Sequence, residues 1–164
     1  MGRFDLGDRP PVRYLAESPE HAIGESLAAF RGTSFRPSYL SRGGHSLALV
    51  EVRLSGKLVE RIVDCTNPAV LVEFGLRPDE LADHDRVRTQ ALARRLHDRG
   101  SSARDKLAGL RWWSALTGAW HTNVLFTDRL KAGDINFGAP RTLKASDPDV
   151  AQALVRLGIV VRTS

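Results

Sequence analysis

The sequence predicts an α+β fold, a compact mixed sheet with flanking helices. Three observations carry that expectation. Short β-rich apolar runs recur along the chain, at 12–16, 46–54, 57–63, 109–113 and 122–126. Between them lie amphipathic stretches that open on capping residues and close on glycine. No repeat, low-complexity segment or long linker divides the 164 residues, so one domain over 1–164 is expected.

The elements follow in order. Val12 to Ala16 reads as a strand. Ser18 then caps a helix with Pro19 in its first turn, running to about Phe30 on a stripe of Ala22, Ile23, Leu27 and Phe30. Glu25 falls at the edge of that stripe, where a carboxylate can face a cleft. Residues 46–54 and 57–63 read as a hairpin turning at Ser55 and Gly56. Asn67 and Pro68 open a short helix that Gly75 is placed to end. A longer helix is expected from Asp83 to Arg99, with Val87, Ala91, Leu92 and Leu96 on its apolar face. Arg86, Arg88, Arg94, Arg95 and Arg99 line its other face. The polar residues 100–108 read as a mobile loop. Strands at 109–113 and 122–126 flank a turn from Ser114 to His121. Asp147 caps a helix from Pro148 to about Leu157, and a final strand follows at Ile159 to Val161.

Composition narrows the function classes. With 42% hydrophobic residues the chain can bury a core, and no apolar run reaches the roughly 20 residues of a membrane span. No signal peptide pattern precedes the first strand. Cys65 is the only cysteine, which excludes an internal disulfide, fits the cytoplasm, and reads as an inert buried thiol. The net charge of +5 suits nucleic acid, an anionic metabolite or an acidic protein, or simply a solvated surface. The arginine face of the 83–99 helix carries the same alternatives. The sequence has no Walker loop, dinucleotide fingerprint or nucleophile elbow, and Gly43 with Gly44 is too little for a phosphate cradle. The five histidines do not pair with Cys65 at ligand spacing, so no metal site is expected.

One spaced set of polar residues stands out. Arg3, Tyr14 and Glu25 fall eleven residues apart, and Ser114 and Asn123 answer them late in the chain. Arginine gives planar, bidentate recognition of phosphate. Tyr14 shares a strand face with Val12, and its hydroxyl is a polar tip on an apolar body. Trp112 and Trp113 point to opposite faces of a strand, one into the core and one available to stack on a flat ring. Each residue also has an ordinary structural use: an exposed terminal arginine, a core tyrosine, a surface carboxylate, a turn serine.

The segments carrying these residues resemble the RES domain family: Gly2 to Asp5, Tyr14 to Glu25, Gly109 to Ser114, and Asn123 to Phe126. The resemblance implies an ADP-ribosyltransferase-like fold. It also implies a toxin of a bacterial toxin–antitoxin system that destroys NAD⁺ by cleaving the nicotinamide–ribose bond. Glu25 and Ser114 would be catalytic, with Arg3, Tyr14, Trp113 and Asn123 binding substrate. No permanently bound cofactor is expected; NAD⁺ is the substrate, with inorganic phosphate as co-substrate and water as the alternative acceptor. The expected partner is an antitoxin with an Xre-like helix-turn-helix domain, in a joint oligomer, with no direct nucleic-acid or membrane binding. Family members usually begin with a strand upstream of the segment matching Arg3, carrying another arginine. That strand is expected to be missing here, which leaves a non-catalytic, antitoxin-binding module as the alternative. A nucleic-acid-binding protein using the arginine face is the third reading.

Overall fold

A computed structural model describes residues 3–82, 85–99 and 106–161. The strands are β1 (Arg13–Ala16), β2 (Ser41–Arg42), β3 (His45–Ser46), β4 (Ala48–Leu49), β5 (Val52–Leu54), β6 (Ile62–Asp64), β7 (Gly109–Trp113), β8 (His121–Leu125), β9 (Ile135–Phe137) and β10 (Arg141–Thr142). The α-helices are α1 (Pro19–Leu27), α2 (Gly56–Val59), α3 (Pro68–Phe74), α4 (Pro78–Ala82), α5 (Arg86–His97) and α6 (Pro148–Leu157). Mixed strands with flanking helices make the chain α+β, as the sequence predicts. It divides into two units, one of 1–15 with 54–136 and the other of 16–53 with 137–164.

The first unit is built on a four-stranded sheet in the order β1-β8-β7-β6. β6 and β7 run parallel, and the segment between them carries α3, α4 and α5, the long crossover that a parallel pair requires. β7 and β8 are antiparallel, joined by a turn in which the Ser114 N–H donates to the Trp120 carbonyl at 2.8 Å. One face of the sheet, from Val63, Leu110, Trp112 and Val124, packs on Leu71, Leu92 and Leu96 of the crossover helices. The opposite face is split along the strands. At one end Ile62 and Leu125 pack with Leu58 and Ala108; at the other, register aligns Asp64, Arg111 and Asn123 in a polar row.

In the second unit α1 packs on α6, burying Ile23 and Leu27 of one and Val150, Ala153 and Leu154 of the other. Ser18 caps α1 as expected, its hydroxyl accepting from the His21 N–H at 3.3 Å. Gly43 and Gly44 join β2 to β3 with φ of 58° and 80°, the two positive values that a tight I′-type turn demands. Phe30 stacks on Tyr39 at 3.7 Å between ring centroids.

The helix over 68–74 keeps its expected ends, with Asn67 accepting from the Ala69 N–H and Gly75 in the left-handed region at φ 59°. Asp147 precedes α6, but its carboxylate accepts from Lys144 N–H and Arg141 rather than capping the helix.

Four expectations are corrected. The 46–63 hairpin does not form. Ser55 accepts from the Leu58 N–H and so caps a one-turn helix, α2, while β5 pairs with β9 and β6 with β7. Leu58, fully buried, and Val59, half exposed, both lie in that helical turn. The helix expected from Asp83 starts at Arg86, capped by Asp85, after the separate α4. Its buried stripe is Thr89, Leu92, Ala93, Leu96 and His97, leaving Val87 exposed. Two polar residues sit in that stripe because both are satisfied. The Thr89 hydroxyl donates to the Arg3 carbonyl at 2.7 Å, and His97 lies 2.8 Å from Asp128. The last strand is only a bridge between Ser34 and Val160. Most of the expected 100–108 loop (100–105) lies outside the described residues, as do Asp83 and His84.

Gly109 carries the closest approach in the sheet. A Cβ there would collide with the Val124 carbonyl oxygen and press on the Leu125 side chain at 3.1 Å. Gly109→Ala is expected to cost roughly 2–3 kcal/mol through strand displacement. Urea denaturation would show it as a lower midpoint at unchanged slope.

Candidate active site

The N-terminal segment is tied to the first unit at several points. The Arg3 guanidinium donates through Nη2 to the Leu81 carbonyl, and its carbonyl accepts from Thr89. Phe4 and Leu6 are buried in the helix-side core. The Phe4 N–H donates to the Tyr14 hydroxyl at 3.0 Å, which joins Arg3 and Tyr14 into one local structure. Burial pushes the Tyr14 phenol above its ordinary value, against the opposing effect of the Phe4 N–H. Tyr14 thus lies against the segment that carries Arg3, with one acceptor position of its hydroxyl occupied by backbone.

The second group of residues comes from β7, β8 and the turn between them. Ser114 is buried where β7 ends, and its Oγ accepts from the Leu116 N–H at 3.0 Å. Trp112 is core, whereas Trp113 is half-buried, with its ring 4.2 Å from that of Trp112 at an interplanar angle of 64°. Asn123 lies opposite Arg111, and His121 opposite Trp113. Strand alternation puts Arg111, Trp113, His121 and Asn123 on one face of the sheet.

Arg111 is the residue sequence reasoning missed. Its Nη1 donates to both oxygens of Asp64, at 3.3 and 3.1 Å, and to the Thr66 hydroxyl at 3.1 Å. Its Nη2 lies 3.1 Å from His121 Nδ1. Burial pushes the Asp64 carboxyl up, but the Thr66 hydroxyl and N–H and the Arg111 charge outweigh it and hold the carboxyl below its ordinary value. The signal was available: Arg111 stands two residues before Trp113, so a strand there places both on one face.

Glu25 belongs to the second unit. It sits on α1, half exposed, with its Oε1 3.3 Å from Nε2 of the buried His21 one turn earlier. The i,i+4 spacing puts the two side chains on one helix face. His21 was overlooked because nothing in the sequence separates it from an ordinary helical histidine.

Two arginines of α5, and Arg99 just beyond its end, are engaged locally. Arg94 forms a two-bond pair with Asp8, Arg95 donates to the Gly75 carbonyl, and Arg99 lies over the Phe74 ring. A cavity of about 490 Å³ is lined by Arg77, Asp79, Glu80, Arg88, Ala91, Leu92 and Arg95. It holds carboxylates among its guanidinium groups and none of the expected site residues.

A family model described as the RES domain matches residues 1–144. The chain belongs to the RES domain family. The match takes in Arg3, Tyr14, Glu25, Trp113, Ser114 and Asn123, and runs through segments of both units. No curated protein and no solved structure matches the chain. The RES family is associated with toxin–antitoxin systems and, in general, with NAD⁺-related enzymatic activity. No helix among the described residues is long and apolar enough to cross a membrane.

Two outcomes are expected from this geometry. Tyr14→Phe leaves the Phe4 N–H without its acceptor, and should cost about 1–2 kcal/mol of stability in addition to any effect on substrate. Thermal melts of the two proteins would measure it. Burial, helped by the Asp64 charge, pushes the Cys65 thiol up to about 12, so it stays protonated at pH 8. Iodoacetamide should leave Cys65 unmodified in the folded protein and alkylate it in denaturant, read by intact mass.

Proposed function

We propose that this RES protein is the toxin of a bacterial toxin–antitoxin system and degrades NAD⁺ by phosphorolysis of the nicotinamide–ribose bond. The observation that carries the reading is the family match over 1–144, which takes in all six expected site residues. The Glu25 carboxylate supports it: half exposed, yet held at one oxygen by a buried histidine.

The chemistry follows from charge. As the bond from ribose C1′ to the pyridinium nitrogen breaks, its electron pair neutralises the nicotinamide, and oxocarbenium character grows on the ribose. A carboxylate beside C1′ stabilises that charge. An oxygen lone pair of inorganic phosphate then forms the new bond at C1′, giving nicotinamide and a phosphorylated ADP-ribose. Water in the same role gives ADP-ribose and a proton. Glu25 is the stabilising carboxylate in this proposal. Arg3 holds the phosphates or ribose, Tyr14 packs on the nicotinamide riboside end, and Trp113 stacks on a flat ring. Ser114 and Asn123 supply hydrogen bonds. The partner is an antitoxin with an Xre-like helix-turn-helix domain.

A second reading has one observation in its favour. The hydroxyls of Tyr14 and Ser114 both accept backbone N–H groups, which a purely structural role also explains. That reading makes the chain an antitoxin-binding module without turnover.

Nicotinamide release from NAD⁺ separates the two. Purified protein should release nicotinamide in a phosphate-dependent manner, and Glu25→Ala should slow release on the order of 10²- to 10³-fold while leaving the circular dichroism spectrum unchanged. Release without phosphate would make it a hydrolase. No release from folded protein favours the binding module.

A further inference from the structure

β6 and β7 run parallel, so both end at the same edge of the sheet, β6 at Asp64 and β7 at Trp113. β8 runs back and begins at that edge, with His121 opposite Trp113. Open sheets bind ligands outside the carboxyl ends of their parallel strands. Asp64 stands at this edge, on the sheet face that carries Arg111, Trp113 and Asn123.

The two carboxylate oxygens of Asp64 are used differently. Oδ1 is filled: it accepts from the Thr66 N–H at 3.0 Å, the Thr66 hydroxyl at 2.6 Å and Arg111 Nη1 at 3.3 Å. Among the described residues, Oδ2 receives Arg111 Nη1 alone, at 3.1 Å. A carboxylate oxygen carries two lone pairs, and this side chain is 44% exposed. The strand end that carries it is fixed, since the Cys65 N–H donates to the Arg111 carbonyl at 3.0 Å. Burial opposes ionisation, but Thr66 and the Arg111 charge outweigh it and hold the carboxyl below its ordinary value. At neutral pH the group therefore only accepts. Hydroxyls bond a carboxylate at shorter distance than N–H groups do. In NAD⁺ the hydroxyls belong to the riboses, and a ribose is joined directly to each flat ring on which Trp113 is proposed to stack.

We infer that Asp64 is a substrate-binding residue whose Oδ2 accepts a hydrogen bond from a hydroxyl of an NAD⁺ ribose, with Thr66 and Arg111 positioning it. The inference rests on the proposed NAD⁺ chemistry for the identity of the ligand. Two riboses carry such hydroxyls, the one of adenosine and the one bonded to nicotinamide.

The test is titration calorimetry on the full chain with ADP, 2′,3′-dideoxy-ADP and ADP-ribose. ADP binding on the order of tenfold tighter than its dideoxy form assigns the adenosine ribose. ADP-ribose binding tighter than ADP by that factor, with the two ADP forms equal, assigns the other ribose. In either case Asp64→Asn should shrink the preference and Asp64→Ala should abolish it. Thr66→Val, which keeps the carboxylate but removes one bond that aims it, should lower the preference in part. A purely structural role would weaken both ligands of a pair alike, so an unchanged ratio in folded Asp64→Ala overturns the inference. So does a wild type that shows neither preference, or that is folded and does not bind ADP-ribose. A wild type that shows the preference but releases no nicotinamide counts against the proposed reaction alone. One that releases nicotinamide without either preference counts against Asp64 alone.

Discussion

The β6-β7-β8 register is the constraint on which the rest of the first unit depends. Gly109 lets β7 approach the Val124 carbonyl without a side chain in the way. That approach sets which residues of β7 face the helices and which face the other side. A slip of one residue would exchange Leu110 and Trp112 with Arg111 and Trp113. Core and candidate site would be lost together, because they are opposite faces of the same five residues.

The same pleat explains why a charged arginine is tolerated in a central strand. Arg111 does not stand alone: Asp64 is opposite it on β6 and Asn123 opposite it on β8. An isolated guanidinium there would carry a desolvation cost without return, whereas the carboxylate, hydroxyl and imidazole around it compensate that cost. Elsewhere in the first unit the same pattern recurs. His97 is buried in the α5 stripe with Asp98 and Asp128 beside it, and Arg129 donates to its backbone carbonyl. Thr89 is buried because the Arg3 carbonyl accepts a hydrogen bond from its hydroxyl. Buried polar groups in this unit are connectors between segments far apart in the chain.

Those connectors are also where sequence reading failed. Apolar periodicity predicts a stripe through Val87 and Ala91 for α5, whereas the buried stripe runs through Thr89 and His97. The partners that make polar burial possible, Arg3 and Asp128, are distant in sequence and invisible to a local pattern. The expected 46–63 hairpin failed for a related reason. Leu58 and Val59 are apolar enough for a strand, but the Ser55 hydroxyl offers a helix start, and β9 offers β5 a different partner. Local signals that do not depend on a distant partner held: Ser18, Asn67 with Gly75, and the β7–β8 pair.

The sequence by itself determined the α+β class, the helix starts at Ser18 and Asn67 and the RES family, because these rest on short-range chemistry and on the spacing of Arg3, Tyr14, Glu25 and Ser114. It also supplied the buried character of Cys65. Only the tertiary structure decided that Tyr14 anchors the Phe4 backbone and that His21 accompanies Glu25. It alone brought Asp64, Arg111 and His121 into one hydrogen-bonded chain. The reason is register: hydrogen bonds between strands join residues 47 and 10 positions apart, and no periodicity within one strand specifies its neighbour.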